Sequence, residues 1–156
     1  MTMRRVVLRD LPVELYMRTR ERAEALLREF AIVAESDPDE RESTPGRLLE
    51  LVEELRSRYS GFTDDIQLRI EDALGRGEQS IDLELDVPEE LRDDAARLAA
   101  LLDEVDDFCR NGALLTLAAP PPLRNLRTWY LREFVRQLDG APPTPWPDWS
   151  PDQSAA

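Results

Sequence analysis

Eight consecutive residues, 80–87 (SIDLELDV), alternate strictly between polar and apolar, which puts Ile81, Leu83, Leu85 and Val87 on one face of an extended segment. A strand of this kind needs a second strand for its backbone groups and a layer of other elements over its apolar face. Two other stretches could pair with it, 3–9 near the start and 113–118. The remainder of the chain repeats at helical spacing. These residues therefore predict a mainly α fold of the α+β kind, about five helices with a small two- or three-stranded sheet; an all-α bundle is the alternative.

The helices are read from their stripes and their stops. Asp10-Leu11-Pro12 opens a first helix, 12–34, with Tyr16, Ala23, Leu26, Leu27, Phe30 and Val33 on one side. After a polar loop at 35–43, Thr44-Pro45 starts a second helix, which turns Leu48, Leu51, Val52, Leu55 and Tyr59 inward and stops near Ser60-Gly61. Thr63 begins a third helix carrying Ile66, Ile70, Ala73 and Leu74, ended by Gly75 and Gly77. Pro88 opens a fourth, closed by Asn111-Gly112, and three prolines at 120–122 precede a fifth that runs to Leu138 and stops at Gly140. Six acid-to-arginine pairs of spacing i,i+4 support these helices: Glu14–Arg18, Glu24–Arg28, Glu54–Arg58, Asp65–Arg69, Asp93–Arg97 and Asp106–Arg110. Residues 1–140 form one helical domain, followed by a Pro- and Trp-rich tail over 141–156.

What the chain lacks narrows its chemistry. It has no His, and all twenty basic residues are Arg. That leaves no imidazole base or His metal ligand and no lysine for a Schiff base or a phosphate loop. Arginine does not substitute as a base, because its guanidinium stays protonated. Cys109 is the one cysteine, so no disulfide forms within the chain. The first residues are too short an apolar run for a signal peptide, and no stretch has the length of a membrane span, so a cytoplasmic protein is expected.

The net charge is −13, which argues against general binding to nucleic acid. Residues 108–138 run the other way, with five Arg against one acid, while the rest holds fifteen Arg against thirty-two acids. On the last helix, Leu123, Leu126, Tyr130, Leu131, Phe134, Val135 and Leu138 share an apolar arc, with Arg124, Arg132 and Arg136 beside it. Trp129 is expected to stack under Arg132 with its ring partly exposed, and Arg127, inside the arc, needs an acidic partner or a path to solvent. These residues, with Trp146 and Trp149 of the tail, form the candidate partner-binding surface. The competing reading is internal: the basic helix packs on an acidic one, and the tail folds back over its own domain.

Two further features invite a site. Leu91, Ala95, Leu98, Leu102, Val105 and Cys109 follow 4,3 spacing, a short heptad seam that could form a homo-oligomer or serve as an ordinary core stripe. Carboxylates cluster at Asp103, Glu104, Asp106 and Asp107 and again over 86–94, but the first set spreads around a helical turn, and solvated acidic faces are expected rather than a metal site.

Residues 8–34 (LRDLPVELYMRTRERAEALLREFAIVA) and 108–147 (FCRNGALLTLAAPPPLRNLRTWYLREFVRQLDGAPPTPWP) resemble an uncharacterised family of small acidic proteins of high-GC bacteria. The resemblance implies an association with anti-sigma and partner-switching regulators, without a catalytic motif and without the nucleotide-binding signatures of the kinases in such systems. The expected function is therefore a non-enzymatic regulatory module that binds another protein, with no cofactor. A small-molecule-binding protein or a carboxylate-metal enzyme is the alternative.

Overall fold

A computed structural model describes residues 2–36, 44–110 and 120–146. Within them the chain runs β1 (Met3–Pro12), α1 (Val13–Ser36), α2 (Thr44–Gly75), β2 (Ser80–Pro88), α3 (Leu91–Arg110) and α4 (Pro121–Leu138). The fold is mainly α with a small sheet. The strand expected at 113–118, the stop at Asn111-Gly112, most of the loop at 35–43 and Trp149 lie outside the described residues.

The alternating segment finds its partner at the start of the chain. β1 and β2 pair antiparallel, with Val6 opposite Leu85 and Leu8 opposite Leu83, so the apolar faces of both strands coincide. β1 is longer than its alternation suggests, because Asp10-Leu11-Pro12 continues the strand instead of starting the helix. An extra residue at Arg9-Asp10 makes a bulge, after which Leu11 faces Ile81. Asp10 takes a left-handed φ of 57°, and its N–H is held by Asp82 Oδ1 at 2.9 Å. The bulge returns Leu11 to the buried face, fully covered like Val6 and Leu8. Pro88 likewise belongs to β2, opposite Met3, so α3 begins at Leu91 and not at Pro88.

Both outer edges of this two-stranded sheet are covered by side chains at one register position. Val7 stands opposite Glu84. The Gln137 amide accepts from Val7 N–H and donates to Val7 C=O, both at 2.8 Å, as a neighbouring strand would. On the other edge, Arg69 donates to Glu84 C=O at 3.0 Å. Each contact occupies backbone groups that would otherwise template pairing with another chain.

α2 is one hydrogen-bonded run with a kink at Tyr59 (φ −120°, ψ 20°), so the helices expected on either side of Ser60-Gly61 are its two arms. Thr63 Oγ1 donates back to the Tyr59 and Ser60 carbonyls at 3.1 Å, which is how a hydroxyl bends a helix without ending it. Glu54–Arg58 and Asp65–Arg69 pair as expected, whereas Glu24 pairs with Arg20, Arg97 with Asp94, and Arg110 with Asp107. Leu74, placed in the third helix's stripe by its spacing, is 43% exposed. The main core lies between the sheet, the second arm of α2, α3 and α4, with Trp129, Ile66 and Ile70 among its most deeply buried members.

Candidate functional site

Three of the residues singled out on the basic helix, Arg127, Trp129 and Arg136, are taken up by internal contacts. Arg127 Nη2 reaches Asp106 at 2.9 Å and Asp103 at 3.2 Å on α3, and Asp106 is only 5% exposed. Trp129 has no exposed surface. Its ring is not under Arg132 but edge-on to Trp146, centroids 5.6 Å apart, and its indole N–H donates to Thr144 C=O at 2.9 Å. Glu133 is buried beside it: one oxygen accepts from Thr144 N–H at 2.7 Å and from Gln137 Nε2 at 3.1 Å, the other takes the Arg136 guanidinium. Arg136 also donates to Pro142 C=O at 3.4 Å. Arg124 and Arg132 are half-buried on α4.

The tail comes back because α4 ends in a tight reversal. Ala141 N–H bonds to Arg136 C=O at 2.9 Å and Gly140 N–H to Gln137 C=O at 3.0 Å, with Gly140 at φ 100°. This is a glycine-dependent helix stop, and it aims the next residues along α4's own side. Residues up to Trp146 therefore lie against the domain, and Trp146 packs on the core. The signal for this was present in the sequence as Trp129, Glu133 and Gln137 at i, i+4 and i+8. They form a polar-tipped stripe beside the apolar arc, and each side chain satisfies returning or neighbouring backbone.

The two carboxylate clusters disperse into separate ion pairs. Glu104 goes to Arg47 (2.6 Å), Asp107 to Arg110 (2.8 Å), and Asp103 and Asp106 to Arg127. In the second cluster Asp94, 4% exposed, accepts Arg58 at 2.6 Å and the Tyr59 hydroxyl at 2.5 Å. No group of three or more His, Cys, Asp or Glu among the described residues is placed to hold a metal ion. No helix among them is long and apolar enough to cross a membrane.

A site appears where the heptad seam was read. Its ends are buried (Leu91 and Ala95, Val105 and Cys109), but Leu98 and Leu102 in the middle are only half-buried. So are Leu26 and Leu27 of α1 and Val52 and Leu55 of α2, all on inward stripes. Their remaining surface opens into two adjoining chambers between α1 and the other helices. The larger, about 480 Å³, is lined by Leu27, Val52, Leu55, Leu98 and Phe134 among others. The smaller, about 260 Å³, has Leu26, Leu102, Cys109, Leu123 and Leu126 in its wall. Tyr16, Arg20, Ala23, Leu98, Tyr130 and Leu131 line both, and thus stand where the chambers meet.

The polar groups at this junction are donors that hold their protons. Tyr16 and Tyr130 pack ring against ring in a tilted arrangement, centroids 5.9 Å apart. Burial raises both phenols above the ordinary value, Tyr130 well above it. Burial, reinforced by the Asp94 hydrogen bond, pushes Tyr59 at the larger chamber up to about 12. The Cys109 thiol is raised by burial and by Asp106 nearby. Each of these shifts moves the group further from ionising at physiological pH.

No protein-family model, curated protein or solved structure matches this chain.

Proposed function

We propose that this protein is a non-enzymatic binding module whose ligand is a small, largely apolar molecule held in the chambers between α1 and α2, α3 and α4. The observation that carries this reading is the half-burial of Leu98 and Leu102 at the centre of an otherwise buried seam. A seam that closed only a core would bury its middle at least as well as its ends. A volume of about 480 Å³ is in the range of small-molecule sites, and apolar walls with a few fixed hydroxyl donors are their usual composition.

The regulatory, protein-binding reading draws less support from the geometry. Trp129 is buried and Arg127 and Arg136 are occupied by Asp106 and Glu133, so Arg124 and Arg132 are what α4 retains for a partner. A binding module that reports on a small apolar molecule remains compatible with a regulatory role, since ligand and partner surfaces are then different.

Methyl NMR with leucine and valine labelled tests the site. On addition of decanol, the shifts of Leu98, Leu102 and Leu55 are expected to move first and saturate together. Perturbation confined to the exposed Leu68 and Leu74 would mean non-specific surface contact and would remove the proposal.

A further inference from the structure

The walls of the two chambers are balanced differently in charge. The larger is lined by Arg20 and Arg56 against Glu24 and Asp64. The smaller is lined by Arg20, Arg22 and Arg127 against Asp106 alone, in a protein whose net charge is −13. Two of those three guanidiniums are already matched: Arg20 Nε bonds Glu24 at 3.2 Å, and Arg127 is held by Asp106 and Asp103. Arg22 is not. Its Nη2 is buried and has no hydrogen-bond partner among the described residues.

A buried, unpartnered guanidinium N–H is costly, and natural chains keep few of them. Its position gives it a use. Arg22 sits at the wall of the smaller chamber, close enough to Cys109 to oppose the rise that burial and Asp106 give that thiol. From there the apolar lining continues past Leu26, Leu102 and the Tyr16–Tyr130 pair into the larger chamber.

We propose that the ligand is an apolar carboxylic acid, its carboxylate accepting from Arg22 in the smaller chamber and its hydrocarbon body extending past Tyr16 and Tyr130 toward Leu27 and Leu55. This rests on the cavity reading above and adds the head group to it. A carboxylate supplies the acceptor that Arg22 lacks, and a planar acid matches a guanidinium edge geometrically. The apolar lining strengthens the attraction between the two charges, and this offsets the cost of taking the carboxylate out of water. A neutral alcohol of equal length would fill the same volume and leave Arg22 without an anion.

The test compares decanoate with decanol on the full chain, by calorimetric titration, for wild type, Arg22→Met and Arg22→Lys. Wild type is expected to bind decanoate at least tenfold more tightly than decanol. Arg22→Met should lose about that factor for decanoate and leave decanol unchanged, and Arg22→Lys should recover part of it. The apo Arg22→Met protein is expected to melt no lower than wild type, because the change removes an unsatisfied donor; this separates a ligand role from a structural one. Equal affinity for acid and alcohol, unaffected by Arg22→Met, would overturn the head-group assignment and leave the cavity standing. No binding of either compound would remove both.

Discussion

Glu133 and Trp129 hold the backbone of one residue by both its polar groups: Thr144 N–H donates to the Glu133 carboxylate at 2.7 Å, and Thr144 C=O accepts the Trp129 indole N–H at 2.9 Å. Because Glu133 also takes Gln137 Nε2, and Gln137 closes the edge of β1 at Val7, a continuous set of hydrogen bonds joins the tail to the sheet through α4. The tail is thus part of the domain as far as Trp146.

Glu133→Ala should therefore be far more damaging than an ordinary helix-surface change. It strands the Arg136 guanidinium and the Thr144 N–H together, at an expected cost of about 3 kcal/mol in urea denaturation. Gly140→Ala, which forces a side chain into φ 100°, should cost about 1 kcal/mol and weaken the same contacts. A loss below about 0.5 kcal/mol for Glu133→Ala would show that the tail is not held this way.

Gln137→Ala should expose the β1 edge. In hydrogen exchange, the Val7 amide of wild type is expected to be protected to nearly the level of the sheet interior, and to exchange at least tenfold faster in the variant. Unchanged protection would mean that Gln137 does not cap the strand.

Arg127 is assigned a structural role by its contact with buried Asp106. Arg127→Ala should cost about 3 kcal/mol, whereas replacing Arg127 and Asp106 together with apolar residues should recover most of that loss. Additive effects in the double-mutant cycle would contradict the pairing.

The chain's three tyrosines, Tyr16, Tyr59 and Tyr130, all have phenols raised by burial, Tyr59 to about 12. A folded value above the unfolded one means the unfolded chain releases these protons first. The stability they contribute is complete below about pH 10, the ordinary phenol value, and is lost as pH rises through each raised folded value, about 12 for Tyr59. Absorbance at 295 nm at pH 10, where an ordinary tyrosine is half ionised, should rise less than three ordinary phenols would give, and then rise further with unfolding. A half-complete transition at pH 10 in folded protein would refute the buried placement.

Much of the fold was legible because its elements are locally consistent. The alternation at 80–87 specified a strand, and the apolar stripes with their proline and glycine stops specified five helical segments, two of which are the arms of α2. The bulge at Asp10 was not legible, since Asp-Leu-Pro is equally a helix start and only pairing with Asp82 decides otherwise. The burial of Trp129 was marked only by the polar-tipped stripe it shares with Glu133 and Gln137. An aromatic beside arginines on one helix reads as a surface patch until a distant segment covers it, and the covering residue, Thr144, carries no pattern of its own. The cavity was half visible. Leu26, Leu27, Val52, Leu55, Leu98 and Leu102 of its lining stood on apolar stripes, whereas Ala23 of the same stripe is exposed; periodicity reports which way a side chain points and not whether a neighbour meets it there.

The central claim is that the chambers around Leu98 and Leu102 receive a ligand, and Ala23→Leu tests it most directly. Ala23 lines both chambers and is itself exposed, so a leucine there adds volume where the chambers meet. The measurement is the dissociation constant of an apolar naphthalene dye for wild type and for the variant, with the melting temperature of each recorded alone. The account predicts that Ala23→Leu melts at or above the wild-type temperature and binds the dye at least tenfold more weakly. Equal dye affinity in the two stably folded proteins would contradict it.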